Sequence, residues 1–171
     1  KVWDKKGVNL PDTKLSEPVP TDEDLKLMEA ILPDVDTIAL SFVRGPEDVL
    51  LARQKMMEFG KVVPIIAKIE RPEAVTNLDK IAVVSDAMMV ARGDLGVEIG
   101  FENVPSVERD IARIGNTLGK PVMVATEVFS SMAKGSSRPT RGDVEGLYSA
   151  ISGQGFDAVM LGKETSFPDH P

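Results

Sequence analysis

VVPIIAKIERPEAVTNLDKIAVVSDAMMVARGDLGVEIG, residues 62–100, holds two short apolar runs, 62–70 and 86–92, separated by a stretch with helical periodicity. Continuous apolar runs, rather than alternation, indicate strands covered on both faces, and an intervening helix implies parallel pairing. The same design recurs outward at TIALSFV (37–43), KPVMVATEV (120–128) and DAVML (157–161). The spacing of these five runs suits the roughly 30 residues per βα unit of a (β/α)8 barrel of about 250 residues. The fold class is therefore α/β, of the (β/α)8 TIM-barrel type, with about five βα units and so a partial barrel.

The connecting segments carry helix punctuation. GPEDVLLARQKMMEFG (45–60) enters on Gly-Pro with acids in its first turn and closes on Gly60. RPEAVTNLDKIA (71–82) repeats the Pro-Glu entry, ENVPSVERDIARIGNTLG (102–119) closes on Gly119, and PTRGDVEGLYSAISG (139–153) closes on Gly153. Residues 1–20, with Pro11, Pro18 and Pro20 and few periodic apolar positions, read as a linker or arm. Residues 21–171 form the partial barrel. No low-complexity segment or tight internal repeat is visible.

Composition bounds the function. With 42% hydrophobic and 27% charged residues over 171 positions, the chain has the makeup of an ordinary globular domain. No apolar run approaches the roughly 20 residues of a membrane span, and residues 1–7 lack the apolar stretch of a signal peptide. Membrane and secretory roles are not expected. The absence of cysteine removes disulfides and thiolate metal sites and fits a reducing, cytoplasmic location. A net charge of −7 with a single His argues against a nucleic-acid footprint.

Chemistry concentrates where the strands end. Lys68 and Glu70 in AKIE share one strand face, with Ile69 on the other. A charged pair inside an apolar strand is costly unless it is paired or used, so it is either an internal salt bridge or part of a site. Asp94 stands at the matching end of the next strand, and in parallel α/β folds ligands bind at those ends. Glu70 and Asp94 together suit one hard cation such as Mg2+ or Mn2+, which takes one or two carboxylates and keeps other positions for water and substrate oxygens. The Arg-Gly-Asp-Leu-Gly segment reads as a turn in which Ala91, Arg92 and Gly93 bring backbone N–H groups close to an anion. Thr126 is either a strand-end hydroxyl bonded to backbone or a site residue. Ser41 and Arg44 are open in the same way.

These motifs, with KGVNLP (6–11), ALSFVRGPEDV (39–49), GKPVMVATEVFSSM (119–132), RPTR (138–141) and the Glu-Thr pair at 164–165, occur in an order that resembles the second part of the pyruvate kinase catalytic barrel. The resemblance implies the glycolytic transfer of a phosphoryl group from phosphoenolpyruvate to ADP, giving pyruvate and ATP. It implies that Lys68 neutralises the phosphoryl group in flight and that Glu70 and Asp94 ligate Mg2+ or Mn2+. Ala91, Arg92, Gly93 and Asp94 would line the substrate, and Thr126 would stand on the proton-delivery side as a second catalytic residue. Ser41 corresponds to a position near the family's K+ site. The family assembles as homo-oligomers, commonly tetramers, and by resemblance Arg138 or Arg141 pairs across a subunit contact.

The chain departs from the family at Glu127, where Gln is usual, and at Gly162 and Lys163, where Ser-Gly is usual. Arg71 replaces an Asn, and the helix after RPTR is one residue longer. The family's first three barrel strands, lid domain and C-terminal effector domain have no counterpart in these residues. The 171 residues taken alone are therefore expected to be incomplete for turnover. Two other readings stand beside the kinase: a metal-dependent aldolase or lyase of the phosphoenolpyruvate/pyruvate superfamily, and a non-catalytic fragment that keeps only the fold.

Overall fold

The computed structural model describes residues 17–125, 128–134, 136–162 and 165. Five parallel strands form one sheet in sequential order: β1 (Ile38–Leu40), β2 (Ile65–Ile69), β3 (Ala87–Ala91), β4 (Val122–Ala125) and β5 (Ala158–Met160). Each strand pairs with the next, in registers such as Ile69 against Val90 and Ala91 against Ala125. The five expected strands are thus present, in a sheet open at β1 and at β5.

β3, at the centre, is buried along its whole length, as its apolar run requires. β2 differs from the expectation of cover on both faces. Ile65, Ala67 and Ile69 are buried against helices, while Ile66 and Lys68 on the opposite face are only half-buried. In a five-stranded sheet that face has no complete ring of strands to cover it. The core is built from Ile65, Ile69, Met88, Val90 and Val122, packed with Val49 and Met56 of α2 (Pro46–Glu58) and Ile111 of α6 (Val104–Leu118).

Carboxylates start two strands. Asp86, just before β3, accepts the Ile65 N–H at 2.8 Å, and Asp157, just before β5, accepts the Val122 N–H at 2.8 Å. Each satisfies an amide that the parallel ladder leaves open at the strand base. Lys120 donates to the Ala82, Val83 and Ser85 carbonyls, so a cation closes the C-terminal end of α4 (Leu78–Val84).

Several helical expectations are corrected. The segment 71–82 is two helices, α3 (Pro72–Thr76) and α4, broken at Asn77, whose side-chain amide donates to the Arg44 carbonyl at 3.0 Å. The last helix does not stop at Gly153. α7 (Arg141–Tyr148) runs into a π-helical turn over Ser149–Gln154, and Gly155, with φ of 81°, ends it. A π turn takes up one extra residue without a break, which suits the longer sequence here. Arg-Gly-Asp-Leu-Gly is not a turn. It opens α5 (Arg92–Ile99), which starts directly after β3. Residues 21–36, beyond the expected arm, contain α1 (Asp22–Ile31), capped by reciprocal hydrogen bonds between Thr21 and Asp24. Of the arm itself, residues 1–16 lie outside the described residues.

Candidate functional site

The C-terminal ends of β1 and β2 bring Ser41, Phe42, Lys68 and Glu70 into contact. The Lys68 ammonium lies 2.6 Å from Glu70 Oε1 and donates to Ser41 Oγ at 3.0 Å. The Phe42 N–H donates to Glu70 Oε2 at 2.8 Å. Glu70 is 1% exposed, and burying a carboxylate costs several kcal/mol, which this pairing offsets. Among the described residues Oε1 meets no donor besides the Lys68 ammonium, so the oxygen keeps acceptor capacity.

Phe42 was not singled out by sequence. Its φ of 56° places a non-glycine residue in the left-handed region, and its ring is half exposed. Such strain persists where surrounding structure enforces it, and here the enforced feature is the amide aimed at Glu70.

Across the β2–β3 pairing, Ala91 ends its strand buried and α5 begins at once. Arg92, Gly93 and Asp94 are therefore its first turn, where helix amides point outward and favour an anion. The Arg92 side chain turns to α6, where its Nε donates to the buried Glu108 at 2.5 Å. Asp94 is exposed and makes no ion pair with any described residue. At the other end of α5, Glu98 accepts from Arg71 Nη1 at 2.9 Å, with both side chains nearly fully buried. Arg71 Nε also lies 3.5 Å from Glu73 of α3. Glu73, Glu98 and Glu108 do not announce themselves in the sequence, and Arg71 does so only weakly. The signals were that Arg71 directly follows Glu70 and replaces an Asn of the family pattern.

Among the described residues no cluster of three or more His, Asp or Glu side chains is arranged to hold a metal. A two-carboxylate site is still consistent with magnesium, which draws much of its shell from water and substrate. The donor set fits: Glu70 contributes a buried oxygen that meets only the Lys68 ammonium among the described residues, and Asp94 stands on the first turn beyond the neighbouring strand. Thr126 and Glu127 at the end of β4, and Lys163 and Glu164 after β5, lie outside the described residues. Arg138 and Arg141 are both exposed.

A cavity of 590 Å3 lies beside this cluster, along the open edge of β1. Pro18, Leu27 and Leu40 supply apolar wall, and Ser41, Phe42 and Arg71 are shared with the polar cluster. Lys68, Glu70 and Asp94 do not line it, so the cavity follows the uncovered sheet edge rather than the charged groups.

Comparison with known proteins gives a consistent result. The family described as pyruvate kinase, barrel domain, matches residues 1–171. The pyruvate kinase of Corynebacterium glutamicum is 47% identical over 171 residues, covering 99% of this chain and 36% of that protein. The pyruvate kinase of Thermotoga maritima is 44% identical over 172 residues, again with 36% of its length covered. The crystal structure of a pyruvate kinase from Cryptosporidium parvum superposes with a TM-score of 0.85 at 40% identity, covering 92% of this chain and 33% of that one. The chain thus spans about a third of the length of the relatives it matches.

Proposed function

The chain belongs to the pyruvate kinase family, and from that premise we propose that it supplies the phosphoenolpyruvate and divalent-cation end of a site that transfers a phosphoryl group to ADP. The observation that carries the reading is the buried Glu70, held by Lys68 and the Phe42 amide at a strand end beside the first turn of α5.

Glu70 and Asp94 would hold Mg2+ or Mn2+, which supplies charge neutralisation at the phosphoryl and enolate oxygens when bound. Lys68, fixed by Ser41 and Glu70, places a positive charge where the transferring group passes. Phosphoryl transfer depends mostly on such positioning and electrostatics. The amides of the first turn of α5 suit the substrate carboxylate, while the Arg92 side chain is committed to Glu108. Thr126 keeps its proposed place on the proton-delivery side. A K+ near Ser41, a cytoplasmic location and a homo-oligomer contacted through Arg138 or Arg141 belong to the same proposal.

Mn2+ titration followed by electron paramagnetic resonance tests it. Glu70→Ala and Asp94→Ala should each weaken binding by well over tenfold. Unchanged affinity in Asp94→Ala would remove that carboxylate from the site.

A further inference from the structure

α5 is a poor helix by its own sequence. Arg92-Gly-Asp-Leu-Gly-Val-Glu-Ile99 contains two glycines within eight residues, and each costs about 1 kcal/mol against alanine in a helix interior. Its N-cap, Ala91, offers no side-chain hydrogen bond. Isolated helices of this length are marginal even with favourable composition. Tertiary contacts therefore hold α5, among them ion pairs at its two ends: Arg92 to Glu108 of α6, and Glu98 to Arg71.

The second pair joins the two candidate metal ligands. Arg71 follows Glu70 without an intervening residue, so its backbone moves with the end of β2. Its guanidinium reaches Glu98 on α5, the helix whose first turn carries Asp94, and lies near Glu73 on α3. The Arg71 and Glu98 side chains are only 8% and 5% exposed, so solvent neither screens the pair nor replaces a lost partner. A guanidinium also presents several donors in a fixed fork, which sets orientation as well as distance.

We infer that Arg71 is a positioning residue: through Glu98 it locks α5 against the end of β2 and so sets Asp94 relative to Glu70. The inference rests on the metal reading of Glu70 and Asp94 given above. Outer groups that hold metal ligands in place typically change affinity by about 10–100-fold when removed.

The test compares wild type with Arg71→Met, Arg71→Lys and Glu98→Gln in the purified protein, with three readouts. These are Mn2+ affinity by electron paramagnetic resonance, amide hydrogen exchange of Gly93 to Leu95 without metal, and thermal unfolding. Arg71→Met and Glu98→Gln should weaken Mn2+ binding about tenfold or more and speed exchange in the first turn of α5, and Arg71→Lys should recover part of both. Glu98→Gln is nearly isosteric and keeps the test open should Arg71→Met fail to fold. Affinity within twofold of wild type in folded Glu98→Gln would overturn the inference even if the melting temperature falls, because the pair would then be structural only. Absence of Mn2+ binding in wild type would instead overturn the metal reading, and the positioning role with it.

Discussion

Phe42 and Glu70 are joined by a hydrogen bond whose donor sits on strained backbone: the Phe42 N–H meets Glu70 Oε2 at 2.8 Å while Phe42 holds a φ of 56°. A left-handed conformation costs an L-residue roughly 1–2 kcal/mol, and a β-branched side chain tolerates it least. Phe42→Val should therefore destabilise the protein by about 1 kcal/mol in urea unfolding. Phe42→Asn should be neutral or stabilising, since Asn adopts this conformation readily and the ring is half exposed. Equal stability of the two variants would show that the left-handed backbone is not maintained in solution.

Lys68 compensates a carboxylate that has no access to water. Breaking a buried pair by removing one partner costs about 3–5 kcal/mol. Lys68 is 22% exposed, which places Lys68→Met at or below the lower end of that range. The double variant Lys68→Met, Glu70→Met removes the orphaned charge and should recover most of the loss in urea unfolding. A double variant as unstable as the single one would show that packing, not charge, is at stake.

Gly115 on α6 faces β4 so closely that an added Cβ would stand 2.2 Å from Val122 Cγ1. Overpacking costs about 1–3 kcal/mol, and the gain in helix propensity returns about 1 kcal/mol. Gly115→Ala should thus be destabilising by up to about 2 kcal/mol in thermal or urea unfolding, and adding Val122→Ala should relieve part of it. A stabilised Gly115→Ala would mean that helix and sheet separate easily.

Asp143 closes the N-terminus of α7. The Ser131 hydroxyl, then the Thr140 hydroxyl and amide, bond its carboxylate and pull its pKa down to about 2. A folded value below the unfolded one of about 3.9 adds stability that is fully present above about pH 4 and lost as pH falls through about 2. The stability difference between wild type and Asp143→Asn should shrink across that window. A difference independent of pH between 5 and 2 would sink the assignment.

The strands were legible because each is a short apolar run bounded by Gly, Pro or Asp, and β3 is buried as its run implies. The pairing of Lys68 with Glu70 was legible too, since strand alternation puts both on one face, but the bond from Lys68 to Ser41 was not, because the sequence left Ser41 open. α5 was not. Its two glycines describe a turn, and contacts with distant elements, among them those of Arg92 and Glu98, hold it as a helix. Those partners lie 16 and 27 positions away, and nothing local marks which carboxylate will turn inward. The break at Asn77 has the same origin, a side chain bonded to a carbonyl in another loop.

For the 171 residues taken alone, phosphoryl transfer between phosphoenolpyruvate and ADP should be slight. Holding donor and acceptor in line can supply roughly 7–11 kcal/mol of the barrier. The sheet is open at β1 and β5, and the uncovered face carries the Lys68 end of the site with no described element opposite to grip a nucleotide. Lys68, Ser41 and Glu70 are nevertheless in contact and should still polarise a bound enolate. Metal-dependent proton exchange at the methyl group of pyruvate is therefore expected to outlast kinase turnover, and nuclear magnetic resonance in heavy water would detect it. A coupled assay decides the matter: turnover near about 10 per second, abolished by Lys68→Met, would show that these strands alone align both substrates.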